Sequence, residues 1–122
     1  MVQALTNNQI ITQWVDICSL SEITPNTGVC ALVEGQQVAI FRIGLETDVF
    51  AISNYDPFSK AFVLSRGIVG DRNGIAKVAS PIYKQNFNLV TGQCLDDETV
   101  SVPTFQVRVA EDRVQVGVEK VA

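Results

Sequence analysis

Apolar and polar residues along this chain trade places in short runs, and turn-forming residues interrupt those runs every few positions. Residues 13–18 mix apolar residues with the polar Gln13 and Asp16 and read as a first strand. Residues 19–28 are mostly polar and contain the breakers Pro25, Asn26 and Gly28, so they read as a connection. Residues 29–33 and 37–43 flank Glu34-Gly35-Gln36 and predict a hairpin, and residues 44–48 lead from its second arm into another strand at 49–53. Four strand signals within the first 53 residues predict a sandwich or a barrel.

The middle of the chain differs. Residues 54–74 contain Asp56-Pro57, Ser65-Arg66-Gly67, Gly70-Asp71 and Asn73-Gly74, with a short apolar stretch only at 61–64. This pattern predicts a long structured excursion with one helical turn, and loops of that length in compact domains are commonly recognition elements. Strand signals resume at 75–79, 86–89, 105–110 and 113–118, with Thr91-Gly92 and Glu111-Asp112 as turns between them. Phe105, Val107 and Val109 alternate with Gln106, Arg108 and Ala110, as in a strand with one wet face. The pattern contains no internal repeat, low-complexity stretch or dividing linker. Residues 13–122 therefore read as one all-β domain behind an N-terminal extension at 1–12.

Composition narrows the chemistry. The chain has 122 residues, 47% hydrophobic and 18% charged, which suits one folded domain with a real core. The net charge is −4, with acidic and basic residues mixed along the chain, so neither nucleic acid nor an anionic membrane surface is expected as a partner. No apolar run approaches a membrane span, and the first residues lack the basic and apolar blocks of a signal peptide, so a cytoplasmic location is expected. There is no histidine, which removes Ser-His-Asp and Cys-His catalysis and histidine-ligated zinc, haem and Rieske centres. Cys18, Cys30 and Cys94 lie far apart with no C-x-x-C pair, and read as free, mostly buried thiols.

Weaker features take plain readings. Gly67, Gly70 and Gly74 have no strand-to-helix setting for a phosphate loop, and Asp96-Asp97-Glu98 reads as a solvated turn. Ser80 and Lys84 lack a reason to meet as a catalytic pair, and Trp14 reads as an anchor at the core or sheet edge.

From about Trp14 to Val118 the layout resembles Rieske domains. In that family one loop carries C-x-H after a strand ending A-I-x-N, and a second carries C-P-x-H followed by F-[DN]-x-x-T-G. Here Ala51-Ile52-Ser53-Asn54 leads into Tyr55-Asp56-Pro57-Phe58, and Ser80-Pro81-Ile82-Tyr83 precedes Phe87-Asn88-Leu89-Val90-Thr91-Gly92. Carried over by position, the first cysteine and histidine fall on Asp56 and Phe58, and the second pair on Ser80 and Tyr83. A Rieske centre needs two thiolates and two imidazoles, so the resemblance implies the scaffold without the cluster. The expected fold is an antiparallel β-sandwich with a smaller loop-bearing β subdomain.

Within that group the chain is most similar to the small subunit of bacterial NADH nitrite reductase. The similarity is carried by Asp56-Pro57-Phe58-Ser59, by Val63-Leu64-Ser65-Arg66-Gly67-Ile68-Val69-Gly70-Asp71, and by Val78-Ala79-Ser80-Pro81-Ile82-Tyr83-Lys84-Gln85. This resemblance implies an accessory subunit of an oxidoreductase, with no catalytic residues, cofactor or metal of its own. Its large partner would carry FAD, a four-iron cluster and sirohaem, oxidise NADH and reduce nitrite to ammonia in nitrate assimilation. Asp56, Phe58, Arg66, Tyr83 and Lys84 are then expected to form the docking surface for that partner. The plainer expectation is that Phe58 and Tyr83 fill the volume the cluster left, with Ser80 or Asp56 bonding the tyrosine hydroxyl. The rival role is a free-standing cluster-less domain that binds a small molecule or scaffolds another oxidoreductase.

Overall fold

The computed structural model describes residues 11–44 and 47–119. Strands β1 (Ile11–Ser19), β2 (Thr27–Val33), β3 (Gln36–Ile43) and β4 (Asp48–Ser53) open the chain. The short strands β5 (Tyr55–Asp56) and β6 (Ala61–Phe62) follow, then β7 (Ile68–Arg72), β8 (Ile75–Ala79) and β9 (Asn86–Asn88). Strands β10 (Thr104–Phe105), β11 (Val107–Ala110) and β12 (Arg113–Glu119) close it. Every pairing is antiparallel, in sheets ordered β1-β12-β11, β10-β4-β3-β2 and β7-β8-β9, with β5-β6 as a separate pair. The expected all-β sandwich with a smaller loop-bearing part is what forms.

The four-stranded sheet is a wall with a core on each side, and β3 shows why. Val38-Ala39-Ile40-Phe41 is apolar without interruption, the mark of a strand buried on both faces. Val38 and Ile40 pack with Val114 and Val116 of β12. Ala39 and Phe41 point the other way, into a core with Leu64, Val78 and Phe87. Full burial of side chains such as Ile40 and Phe41 contributes roughly 1.5–3 kcal/mol each. The second core is the floor on which the loops between β4 and β9 rest.

The structure corrects the sequence pattern at five places. The connection at 19–28 is not merely polar: a 3-10 turn at Leu20–Glu22 buries Leu20, and Ile23 follows it into the first core. Arg42 donates from Nη1 to the carbonyls of Leu20 (3.3 Å) and Ile23 (3.0 Å), fixing this segment to β3. The β2–β3 turn is two residues, Glu34 and Gly35, both at positive φ (49° and 82°), and Gln36 already pairs with Val33. Residues 68–72 form β7, hidden in the sequence because Gly70, Asp71 and Arg72 break its apolar run; Asn73 (φ 54°) and Gly74 (φ 86°) turn it into β8.

Residues 105–110 are not one strand. Phe105 pairs with Ala51 in one sheet and Val107 with Val116 in the other, and the chain crosses at Gln106, whose carbonyl accepts from Gly117 N–H at 2.9 Å. Finally, Cys94 is buried and Cys18 partly so, but Cys30, on the edge strand β2, is exposed.

Several readings hold in place. The helical turn expected in the excursion is the 3-10 turn at Leu64–Arg66. Trp14 sits on the outer face of its sheet with the Arg108 guanidinium 4.1 Å from its ring centre. Residues 1–10 of the expected extension lie outside the described residues, and its Ile11 and Thr12 belong to β1.

Candidate functional site

The site is built from two turns of one design. In the first, Asp56 begins a five-residue reversal, Asp56-Pro57-Phe58-Ser59-Lys60. Phe58 N–H donates to Asp56 Oδ1 at 2.9 Å, and Lys60 N–H donates to the Asp56 carbonyl at 2.7 Å. In the second, Ser80-Pro81-Ile82-Tyr83-Lys84 repeats the arrangement. Ile82 N–H donates to Ser80 Oγ at 3.3 Å, and Lys84 N–H donates to the Ser80 carbonyl at 3.1 Å. Asp56 pairs across to Ala61, and Ser80 N–H donates to the Gln85 carbonyl at 2.9 Å, so the residues after each turn match too.

Local chemistry explains the shape. Proline fixes φ at the second position and keeps the residue before it extended, while a short polar side chain at the first position closes the turn on the backbone. The reversal ends with a lysine in the left-handed region, φ 59° at Lys60 and 68° at Lys84. No repeat was evident in the hydrophobic pattern, because this one lies in the shared proline and lysine spacing rather than in apolar period.

The two turns are clasped together at their first residues. Ser80 Oγ donates to Asp56 Oδ2 at 2.5 Å, and Ser59 Oγ donates to the same oxygen at 2.8 Å. Asp56 and Ser80 are both 0% exposed. Burial alone pushes the Asp56 carboxyl up. Hydrogen bonds from the Ser80 hydroxyl, the Phe58 N–H, and the Ser59 hydroxyl and N–H outweigh it and hold the group below the usual carboxylate range. Hydrogen bonds to a charged group are worth about 1.5–3 kcal/mol each, which is how a buried carboxylate remains ionised.

Asn54, just before the clasp, is buried and fully used. It donates from Nδ2 to Gln37 Oε1 at 3.0 Å and accepts at Oδ1 from Ser65 N–H at 2.7 Å. Leu64 N–H also reaches the Asn54 carbonyl at 3.1 Å, so this residue fixes the 3-10 turn carrying Arg66. In the sequence Asn54 stands out only as part of the A-I-x-N resemblance, and nothing local signals its role as a brace.

The four expected ligand positions do come together, but in unequal states. Asp56 and Ser80 are the buried clasp. Phe58 is half-buried, its ring 6.1 Å from that of Phe87, and packs on the second core. Tyr83 is 61% exposed, so it does not fill the vacated volume, and neither Ser80 nor Asp56 bonds its hydroxyl: those two groups are satisfied by each other. Of the expected docking residues, Arg66, Tyr83 and Lys84 are on the surface, whereas Asp56 supports the loops from beneath and touches no solvent. Ser80 and Lys84 make no pair, since Lys84 Nζ donates to the Pro81 carbonyl at 2.9 Å. In the acidic run, Asp96 accepts from Asn86 and Arg72, and Asp97 from Thr99.

A two-iron two-sulfur cluster does not fit these residues. Two oxygen atoms hydrogen-bonded at 2.5 Å cannot stand as separate ligands around an iron–sulfide centre, and Phe58 brings no donor atom.

Comparison with known proteins identifies the fold and the family. Residues 13–117 match the Rieske-like [2Fe-2S] domain family. The nitrite reductase (NADH) small subunit of Salmonella typhimurium is 50% identical over 106 residues, covering 87% of this chain and 98% of that protein. The solved structure of the nitrite reductase [NAD(P)H] small subunit from Erwinia carotovora superposes with a TM-score of 0.77 at 46% identity, over 92% of this chain and 86% of that one. The Klebsiella oxytoca nitrite reductase [NAD(P)H] large subunit is 39% identical over 104 residues, 85% of this chain but 11% of that protein. The matching span, the shared strand layout and the paired turns together mean that this chain belongs to the Rieske-like domain family, in its branch of NADH nitrite reductase small subunits.

Proposed function

We propose that this chain is the accessory subunit of a cytoplasmic NADH-dependent nitrite reductase acting in nitrate assimilation, and that it carries no electron itself. One observation bears most weight. A segment like this chain is built into the large polypeptide of the Klebsiella oxytoca enzyme, so a domain of this kind works physically joined to a large reductase chain. In the present protein the same association would form between separate chains. The large partner is expected to supply FAD, a four-iron cluster and sirohaem, and with them the oxidation of NADH and the reduction of nitrite to ammonia.

The clasp supports a non-redox role. With Asp56 and Ser80 bonded to each other and Phe58 seated on Phe87, these loops are rigid presenting elements, not a cofactor cage. The test is co-purification of this chain with the large chain from the same source, scored by NADH-dependent nitrite reduction with and without it. A tight complex whose activity depends on a small chain free of iron and visible absorbance is the expected result. Full activity from the large chain alone, with no association, would return the chain to the rank of an independent β-domain.

A further inference from the structure

Acidic and basic residues are mixed along the chain, but their balance is uneven. Between positions 54 and 85 stand five basic residues, Lys60, Arg66, Arg72, Lys77 and Lys84, against two acidic ones, Asp56 and Asp71. That segment is net +3 in a chain of net −4, leaving −7 for the rest. Asp56 is buried and saturated with hydrogen bonds, so it offers nothing to a partner. Arg72 pairs with Asp96 at 3.3 Å, and Lys77 Nζ donates to Asn86 Oδ1 at 2.7 Å. Lys60, Arg66 and Lys84 remain exposed, and none of them meets a carboxylate among the described residues.

Apolar side chains are exposed on the second of the two turns and on the strand that follows the first. Phe62 is 53% exposed beside Tyr55, Ile82 is 44% exposed, and Tyr83 stands next to Lys84. A groove of about 340 Å³ opens between Phe62 and Leu32, the latter 72% exposed on the β2 edge. The clasp joins the two turns at their first residues, and Lys60 and Lys84 occupy the same closing position in their turns. The backbone that carries them is held by Asp56, Ser80 and Asn54, which makes the face pre-organised rather than shaped on contact.

We infer that the paired turns dock an acidic-rimmed, apolar-centred protein surface, and, resting on the subunit reading above, that this surface belongs to the nitrite reductase large chain. Lys60, Arg66 and Lys84 meet carboxylates at the rim, while Phe62, Ile82 and Tyr83 occupy the centre. Phe58 and Asp56 are positioning residues beneath it. Rim cations act mainly on the rate of encounter, and centrally placed aromatics on the lifetime of the complex.

The experiment measures binding of the full chain to the purified large chain while salt and surface charge are varied. The natural pair should lose about tenfold in affinity between roughly 50 and 300 mM NaCl, chiefly through association rate. The triple variant K60E/R66E/K84E should bind about 100-fold more weakly at low salt and lose that salt dependence. K60R/K84R should bind normally. Reversal of distant acids, Asp48→Lys with Glu111→Lys, should leave affinity within about threefold, since rim-independent charges act only through the screened far field. Circular dichroism and thermal midpoint of each variant show that it is folded. Unchanged affinity in the folded triple variant overturns this docking face while leaving the subunit reading intact. No binding of the natural chain at any ionic strength removes the subunit reading and this inference with it.

Discussion

The turn at 56–60 and the turn at 80–84 share a backbone plan and have opposite fates. In the first, Asp56 accepts from its own turn and from the other, and Phe58 points down onto Phe87. In the second, Ser80 points inward as a donor, while Ile82 and Tyr83 face solvent. One turn is therefore the anchor and the other the display. Two turns of one backbone plan need not carry equal duties. The carboxylate made the difference: a group with room for several donors gathers the structure around itself.

The comparison can be broken most severely at Asp56. Asp56→Ala strands the Ser80 hydroxyl, the Ser59 hydroxyl and the Phe58 N–H, and should lower stability by about 3 kcal/mol or more in urea denaturation. Ser80→Ala removes one of those donors and should lower it by about 1–2 kcal/mol. An equal loss from the two changes would mean that the turns share the load evenly. Phe58→Ala and Ile82→Ala sharpen the same contrast between matching positions. Phe58 is packed on the second core and should lose about 2 kcal/mol, while the half-exposed Ile82 should lose under about 0.5 kcal/mol.

Acid gives a finer test. The folded Asp56 carboxyl lies below its ordinary value of 3.8, so its contribution is fully present above that pH and is lost as pH falls through the lower folded value. Denaturant midpoints of the natural chain should therefore decline in acid more steeply than those of Asp56→Asn. Parallel curves would show that the clasp adds no acid sensitivity. The smallest effect belongs to Tyr83: Tyr83→Ala should shift stability by no more than about 0.5 kcal/mol while weakening association with the large chain, measured side by side.

Much of this architecture is legible along the chain. The uninterrupted apolar run in β3 and the Asn73-Gly74 turn each state their structure in local terms. The loops were found through Asp56-Pro57 and Ser80-Pro81 against the Rieske pattern. What escaped is non-local. Leu20 and Ile23 are single apolar residues in polar company, and only the open end of a core makes them buried. The alternation at 105–110 is continuous, but the chain changes sheets beneath it at Gln106. Tyr83 could not be assigned inside or outside from spacing, because its burial depends on whether Asp56 and Ser80 already satisfy each other. The charge asymmetry was countable, yet Arg72 and Lys77 had to be seen paired before the remaining cations stood out.

The strand Gln36–Ile43 ties the fate of the display loops to the whole molecule. Its amides lie between a neighbour on each side, and its side chains fill a core above and a core below. Neither core can open without exposing this strand, so the loop-bearing part is expected to melt together with the sandwich. In deuterium exchange, the amides of Val38 to Phe41 should exchange only at the rate of global opening, and residues packed on either side should share that limit. A partner that grips the loops would then slow exchange in the distant sandwich as well, making solvent protection far from the contact a sign of binding at it.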